Sequence, residues 1–238
     1  MAPCALMRAI QDHYNEADSR KWPGRAGEVG RAARRPAKDM LDEFMLTTRD
    51  FFNVLAQYEL EHPDFRALGA VPANFCDLVY TREVCKLTLR QLLAAGKRRC
   101  AVVFNTDPGH LPGQHWIMLW VDLTAPAGFA EIAYFDSEAQ SPPANVRHLM
   151  DRLHAEAGRL HRKGKIPAPP RPEGALVAVS KRHQRGGREC GIYCVYFVER
   201  LLGGAPVEQL RGTPRISNAD MRDFMRTELF PRATKAMA

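Results

Sequence analysis

An uninterrupted apolar run in the middle of the chain constrains the fold more than any other feature. From Trp116 to Val121 the sequence reads Trp-Ile-Met-Leu-Trp-Val, with no polar residue in alternation. A strand with one face in water alternates apolar and polar residues, so this run predicts a strand in a sheet that is covered on both faces.

Further strands and helices are predicted around this run. Short segments rich in valine, isoleucine and aromatic residues, bounded by proline and glycine, are predicted as strands at 100–104, 115–123, 130–135 and 175–179. Apolar residues at helical spacing predict two helices over 38–61 and one amphipathic helix over 81–97, capped by Thr81. A basic helix is expected before the proline-rich segment 166–172, and a helix apolar on nearly all sides begins near Cys190. Together these elements predict an α+β fold.

The length and composition of the chain fit one sizeable domain with an extension. The chain has 238 residues, of which 45% are hydrophobic, so it can form one large core, and a second large domain is not expected. The first ten residues lack the long apolar stretch of a signal peptide, and no run of eighteen or more apolar residues occurs. We therefore expect a soluble, intracellular protein that does not span a membrane.

The cysteines of the chain do not predict a disulfide framework. Six cysteines in a chain of this length, without a signal peptide, are expected to be mostly free thiols. Cys190 and Cys194 are four residues apart and no second pair follows, so the spacing does not favour structural zinc. No metal or other cofactor is expected.

The segment 184–193 carries the strongest chemical signal. It reads Gln-Arg-Gly-Gly-Arg-Glu-Cys-Gly-Ile-Tyr, which places Cys190 between a polar, glycine-containing loop and the start of an apolar helix. Only a thiolate attacks a carbonyl carbon, and an ordinary cysteine, with a pKa of ~8.5, is mostly protonated at neutral pH. The positive end of a helix dipole and a nearby imidazole both favour the thiolate. This position therefore predicts a nucleophilic cysteine.

A base, and a group to orient it, stand upstream of the cysteine. His115 would take the thiol proton and return it to the leaving amine, while Asp136 would accept a hydrogen bond from the other ring nitrogen. Gln184, six residues before Cys190, offers a side-chain amide to the oxyanion beside the backbone N–H of the cysteine. Each of these residues alone has a commoner structural explanation, such as a turn former, a cap or a core residue. Their order along the chain carries the inference of a cysteine peptidase.

Three short blocks carry a resemblance to a known family. They are Gly113-Gln114-His115-Trp116, Tyr134-Phe135-Asp136-Ser137 and the segment 184–193. In order and local context these blocks resemble the CE-clan cysteine proteases, which include the SUMO-specific proteases, the adenovirus maturation protease and related proteases of large DNA viruses. The resemblance implies that His115 is the general base, Asp136 its orienting acid, Gln184 the oxyanion donor and Cys190 the nucleophile.

The resemblance also suggests roles for three neighbouring residues. Trp116 is similar to the aromatic residue that clamps a narrow Gly-Gly tail in the SUMO-specific branch, which implies cleavage after glycine-rich sequences. Glu189 stands where SUMO proteases usually carry aspartate, a conservative departure. Asn105 could orient the histidine from a neighbouring strand end, although Asn-Thr-Asp-Pro-Gly is above all a turn sequence.

The resemblance implies a CE-clan cysteine-protease fold and a division of the chain. The expected fold is a central, mostly antiparallel or mixed sheet packed against a buried helix that carries the nucleophile. Because the likeness begins near Cys100, we predict a helical N-terminal arm or extension over 1–98 and a catalytic core over 99–238. The blocks 104–110 and 216–221 look more like the viral proteases than the cellular deconjugases.

Three functions are compatible with these signals. The leading hypothesis is a cysteine endopeptidase that cuts after small or Gly-Gly-type sequences in viral polyprotein or structural-protein maturation, in the host cytoplasm and the virion. A deconjugase (isopeptidase) for SUMO or another ubiquitin-like protein uses the same chemistry. A catalytically inactive protein- or nucleic-acid-binding module is the alternative from another class.

Positive charge is concentrated in the segment 147–188. It holds eleven lysines and arginines against three acidic residues, in a chain whose net charge is +7. Such a segment could attract nucleic acid, an acidic substrate protein or a viral core. A solvated helix face and loop is the simpler interpretation, because no aromatic residues that would stack on bases are interleaved with these charges.

Overall fold

The computed structural model describes residues 45–125, 127–177 and 181–229. At the centre of these residues lies a five-stranded sheet in the order β1-β2-β3-β4-β5. The strands are β1 (Phe65–Pro72), β2 (Arg99–Asn105), β3 (Trp116–Asp122), β4 (Glu131–Phe135) and β5 (Leu176–Val177). The two outer pairs are parallel and the two inner pairs antiparallel, so the sheet is mixed, as predicted.

Helices cover the sheet. They are α1 (Thr48–Glu61), α2 (Arg82–Cys85), α3 (Leu89–Ala94), α4 (Ala144–Arg162), α5 (Cys190–Leu202), α6 (Val207–Gly212) and α7 (Asn218–Phe224). A 3₁₀ turn, Val79–Thr81, leads into α2, and a π-helical turn, Met225–Leu229, follows α7. None of the helices in the described part of the chain is both long and apolar enough to cross a membrane.

The central strand β3 is buried on both faces, as the apolar run predicted. All seven of its residues are buried. One face, with Trp116 and Trp120, belongs to a core shared with α1 and α5. The other face, with Ile117 and Leu119, belongs to a second core shared with α4. Because β3 lies between two helical layers, residues at its ends are held in fixed positions.

The edge strand β1 was not predicted from the sequence. It pairs with β2 in parallel and carries an irregularity between Ala67 and Ala70. Gly69 lies there at φ +76°, and a Cβ on it would overlap the ring of Phe52 in α1. Glycine is therefore required for α1 to approach β1. β1 lies within residues 1–98, which were predicted to form the N-terminal extension, so the sheet includes a strand from that segment. The predicted division into an extension and a catalytic core stays a prediction.

The single helix predicted over 81–97 is wrong. The chain forms α2 and α3 instead, separated by residues 86–88. The Thr81 hydroxyl donates to the Phe75 carbonyl at 2.5 Å and caps nothing. Thr88 caps α3, because its side chain accepts from the backbone N–H of Gln91. A cap in the middle of a periodic segment starts a new helix and ends the old one.

The remaining predicted elements are found near their expected bounds. The strands predicted at 100–104, 115–123 and 130–135 are β2, β3 and β4, and the buried helix beginning near Cys190 is α5. Of the two helices predicted over 38–61, α1 is present, and residues up to 44 lie outside the described residues. The strand predicted at 175–179 is β5, whose last predicted residues lie outside them as well.

A disulfide that the sequence did not predict joins Cys76 to Cys85, just before the break between α2 and α3. Three other cysteines are free and buried, namely Cys100, Cys190 and Cys194. Cys194 lies in the core behind the first turn of α5, where burial raises its pKa well above the usual value, as expected of a core residue. Cys4 lies outside the described residues. Within those residues no group of three or more His, Cys, Asp or Glu side chains is placed to hold a metal ion.

Candidate active site

Strand pairing brings a histidine and an aspartate together. β3 and β4 are antiparallel neighbours, so His115, directly before β3, and Asp136, directly after β4, lie at the same edge of the sheet. The His115 Nε2 atom is 2.7 Å from Asp136 Oδ1. That carboxylate is 3% exposed, and the same oxygen accepts the backbone N–H of Glu138 at 2.8 Å. The carboxylate is therefore held in place to orient the imidazole.

The candidate nucleophile completes this row of groups. Cys190 is the first residue of α5 and is 2% exposed. Because Asp136 engages Nε2, the Nδ1 atom is the ring nitrogen left to face Cys190, which lies close enough to affect the pKa of the imidazole. Burial alone would lower the pKa of His115, but the hydrogen bonds to Asp136 and Cys190, together with their negative charges, raise it to about 10. The imidazolium form is thus favoured beside the sulfur at neutral pH.

Gln184 reaches the site from a loop that is fastened to the sheet. The backbone N–H groups of His183 and Gln184 both donate to the Ser137 carbonyl at 2.9 Å. The Gln184 side chain is buried, accepts a hydrogen bond from the Ser137 hydroxyl at 2.7 Å, and donates from Nε2 to the Gly187 carbonyl at 3.3 Å. The buried His183 ring accepts the Ile216 N–H at 3.0 Å, which fixes the other side of the loop.

Asn218 at the start of α7 holds the rest of the loop. Its amide nitrogen donates to the Gly186 carbonyl and to Glu189 Oε2, both at 3.0 Å. Its amide oxygen accepts the Tyr193 hydroxyl at 3.3 Å and the Arg185 N–H at 3.4 Å. One side chain therefore ties the loop before Cys190 to the helix that Cys190 begins.

Two further contacts shape this loop. Arg222 Nη1 donates to Glu189 Oε1 at 2.6 Å, so the carboxylate next to the cysteine is paired on the side of α7. Gly187 has φ +79°, and a Cβ on it would overlap both the Glu189 carboxylate and the Asn218 amide. The second glycine of the loop is thus required by this packing as well as by its backbone conformation.

The side chains of Trp116 and Asn105 have partners outside the row of polar groups. The Trp116 indole is 6% exposed, donates to the Leu46 carbonyl at 3.1 Å and meets the Phe51 ring edge-on at 4.9 Å. Asn105 accepts the Asp107 N–H at 2.9 Å and thereby closes the turn after β2. The structure brings together His115, Asp136 and Cys190, with Gln184 in the adjoining loop. A clamping role for Trp116 and an orienting role for Asn105 stay predictions.

Sequence reasoning did not assign the roles of Ser137 and Asn218. Both lie in blocks that were noted for resemblance alone, 134–137 and 216–221. The only local signal for Asn218 is the capping box formed by Ser217 and Asp220, which places it in the first turn of α7. Their partners are 47 and up to 33 residues away in the chain, a separation that no sequence pattern reveals.

A buried thiol at a helix start, close to an imidazole that a carboxylate orients, is the arrangement of the thiol proteases. Comparison with known proteins agrees with this class. The Ulp1 protease family, C-terminal catalytic domain, matches residues 101–233. The chain belongs to that family.

Viral proteins are among the relatives of this chain. A cysteine protease of African swine fever virus, isolate Tick/Malawi, is 32% identical over 226 residues, which cover 92% of this chain and 75% of that protein. A relative from Acanthamoeba polyphaga mimivirus, named as a candidate thiol protease, is 28% identical over 166 residues, which cover 69% of this chain. The chain spans half the length of the mimivirus protein.

Solved structures share the fold. The crystal structure of the African swine fever virus protease matches with a TM-score of 0.64 at 22% identity, covering 76% of this chain and 65% of that one. The yeast Ulp1 protease domain in complex with Smt3, the yeast ortholog of SUMO, matches with a TM-score of 0.51 at 16% identity, covering 84% and 81%. At these identities the matches establish the CE-clan protease fold.

Proposed function

We propose that this chain is a cysteine endopeptidase that cleaves after small or Gly-Gly-type sequences during maturation of viral polyproteins or structural proteins. One observation carries the proposal: the His115 imidazole bonds Asp136 at 2.7 Å through Nε2, and the nearby Cys190 helps to raise the pKa of the same ring. The family and the viral relatives support it. The proposed setting is the host cytoplasm and the virion, with a protein substrate.

The geometry supports the following sequence of steps. The Cys190 thiolate attacks the carbonyl carbon before the scissile bond, and the carbonyl oxygen takes up the negative charge. The Gln184 amide and the Cys190 backbone N–H stabilise that oxyanion. The His115 imidazolium gives its proton to the departing amine, which leaves a thioester on Cys190. His115 then takes a proton from water, the hydroxide attacks the thioester, and the acid product leaves as the thiolate re-forms.

Preference for glycine at the cleavage site rests on the resemblance of Trp116 to the clamping aromatic residue of SUMO-specific proteases. The indole lies directly after His115 at the start of β3, so substrate that reaches the cysteine passes near it. Leu46 and Phe51 cover the ring in this structure. Access to a flat aromatic surface would therefore require the start of α1 and the segment before it to shift.

A deconjugase for SUMO or another ubiquitin-like protein is the second candidate. The observation in its favour is the fold match to yeast Ulp1, whose structure holds the SUMO ortholog Smt3. The chemistry is identical, because an isopeptide bond is also an amide. The two candidates differ only in the surface that recognises the substrate.

Binding of nucleic acid through the segment 147–188 is less well founded. Two of its arginines serve the fold: Arg152 donates to the Leu87 and Cys85 carbonyls at 2.6 and 2.8 Å, and Arg171 forms a buried pair with Glu131 at 2.7 Å. These cations hold α4 and the strand edge in place and are not available to phosphates.

The test compares two substrates under the same conditions. The protein is incubated with a SUMO-type conjugate and with a precursor protein that carries Gly-Gly-x sites, and cleavage is followed by gel and mass spectrometry. We expect cleavage of the precursor after glycine and its loss in Cys190→Ala. Cys100→Ala, which removes a buried thiol from the opposite face of the sheet, is the matched control and should keep activity. Cleavage that persists in Cys190→Ala would contradict the proposed nucleophile.

A further inference from the structure

Ser137 makes a hydrogen bond that the proposed chemistry does not yet use. Its hydroxyl donates to Gln184 Oε1 at 2.7 Å, and both side chains are buried, at 3% and 2% exposure. The residue directly follows Asp136, so it lies at the same edge of the sheet as the orienting carboxylate. This hydroxyl therefore connects the strand end that carries Asp136 to the loop that carries Gln184.

This hydrogen bond and the contact with the Gly187 carbonyl together decide which end of the Gln184 amide faces the reacting carbonyl. A side-chain amide has an acceptor oxygen and a donor nitrogen of nearly the same shape, and only its surroundings determine their order. The Ser137 hydroxyl engages the oxygen, which turns Nε2 to the other side, where it meets the Gly187 carbonyl at 3.3 Å. That contact is long, so the N–H groups remain able to turn toward an oxyanion.

Without this hydroxyl, only the long contact of Nε2 with the Gly187 carbonyl, at 3.3 Å, still favours the oxygen of the Gln184 amide on the Ser137 side. A half turn of the amide would then present its carbonyl oxygen to the oxyanion, and the two negative ends would repel each other. The backbone bonds from His183 and Gln184 to the Ser137 carbonyl would persist, because they do not involve the hydroxyl. Loss of the hydroxyl thus affects the amide's orientation and leaves the attachment of the loop intact.

We propose that Ser137 is a positioning residue that sets the orientation of the Gln184 amide, and so makes it a donor to the oxyanion. This inference rests on the proposed function, because it assigns Gln184 to that role. It concerns the step in which charge moves onto the carbonyl oxygen. Alkylation of the thiol, which forms no oxyanion, should not depend on it.

Two reactions of Cys190 distinguish chemistry that forms an oxyanion from chemistry that does not, and neither needs the natural substrate. With p-nitrophenyl acetate, the thiolate attacks the ester carbonyl through an oxyanion intermediate, an S–C bond forms, and p-nitrophenolate leaves with the electron pair of the C–O bond. With iodoacetamide, the thiolate displaces iodide directly. Both rates are measured at Cys190, by the burst of p-nitrophenolate and by mass spectrometry.

We expect Ser137→Ala to lower the acylation rate about tenfold while the alkylation rate stays within a factor of about two, since one oxyanion donor is worth 10²–10³ in rate and misorientation loses part of it. In the Gln184→Ala background the same change should cost nothing further, because the residue acts through Gln184. Ser141→Ala, at an exposed serine after the same strand, is the matched control. Thermal unfolding of each variant verifies the fold.

The outcomes are distinct. An unchanged ratio of acylation to alkylation in Ser137→Ala, or an equal loss in the Gln184→Ala background, would overturn the positioning role. Cys190 reacting normally in both assays while the protein cleaves neither precursor nor conjugate would contradict the proposed function and leave the Ser137 result standing.

Discussion

The two halves of the candidate site are built in different ways. His115 and Asp136 follow from the sheet: they flank β3 and β4, and antiparallel pairing sets the distance between them. Gln184 and the residues before Cys190 lie in a loop, whose position depends on side chains that reach it from Ser137 and Asn218. The half on the strands is therefore fixed by strand pairing, and the half in the loop by two backbone hydrogen bonds to the Ser137 carbonyl and a few side-chain hydrogen bonds. We expect substitutions to affect the second half with little effect on the fold.

The largest effect should come from the nucleophile itself. Cys190→Ala should reduce hydrolysis by about 10⁵-fold or more, in line with the loss of a triad nucleophile in other proteases. The fold should persist, because alanine suits the start of α5. Hydrolysis rates and thermal unfolding measure the two effects. Residual activity near the wild-type level would place the chemistry elsewhere.

The second largest effect is expected at Gly187, and Gly186 in the same loop is the matched comparison. Both have positive φ, +66° at Gly186 and +79° at Gly187, so alanine costs roughly 1 kcal/mol of backbone strain at either position. Only at Gly187 would a Cβ overlap Glu189 and Asn218, while at Gly186 it meets open space. Gly187→Ala should lower kcat about 100-fold, because a displacement of reacting groups by about 1 Å has a cost of that size. Gly186→Ala should lower kcat far less. Equal losses would show that strain alone matters.

A smaller effect is expected at Asn218. Asn218→Ala removes the bonds to Gly186 and Glu189 and should lower kcat about tenfold, as expected for partial loss of positioning. Asp220→Ala, in the same helix, removes the capping box of α7 and leaves those bonds in place. It should cost about 1 kcal/mol of stability and little activity. Measured kcat and unfolding free energies would separate the two, and the same activity loss in both variants would attribute it to the helix alone.

The smallest expected change is in the pKa of His115. Cys190→Ala removes a hydrogen bond and a negative charge that raise the pKa of His115 to about 10, so the pKa should fall while the Asp136 bond remains. A raised folded-state pKa stabilises the protein fully below pH 6.5, and this contribution is lost as pH rises toward about 10. NMR titration of the imidazole should show the lower pKa in the variant. Unfolding free energies at several pH values should fall less steeply with rising pH in the variant than in the wild type. An unchanged His115 titration would mean that the thiolate does not contact the ring.

Much of the half on the strands was predictable. The unbroken apolar run predicted that β3 is covered on both faces, and the two residues flanking β3 and β4 were among the predicted site residues that the structure brings together. The half in the loop was only partly so, because Gln184 and Cys190 were found by their spacing but their supports come from residues up to 47 positions away. β1 was missed because the packing of Gly69 against α1 is a tertiary feature, and the break before α3 was missed because a local cap at Thr88 outweighed the periodic pattern over 81–97.

The most direct test of the account is whether His115 controls the reactivity of Cys190. Alkylation by iodoacetamide at pH 7, followed by mass spectrometry, measures each free thiol separately in the wild type and in His115→Ala. All three described free thiols are buried, and we predict that Cys190 nevertheless reacts well before Cys100 and Cys194. Its alkylation rate should fall at least tenfold when the imidazole is removed, because loss of a general base usually costs that much or more. Equal alkylation rates at Cys190 in the two proteins would contradict the thiolate–imidazolium pair on which the proposed function depends.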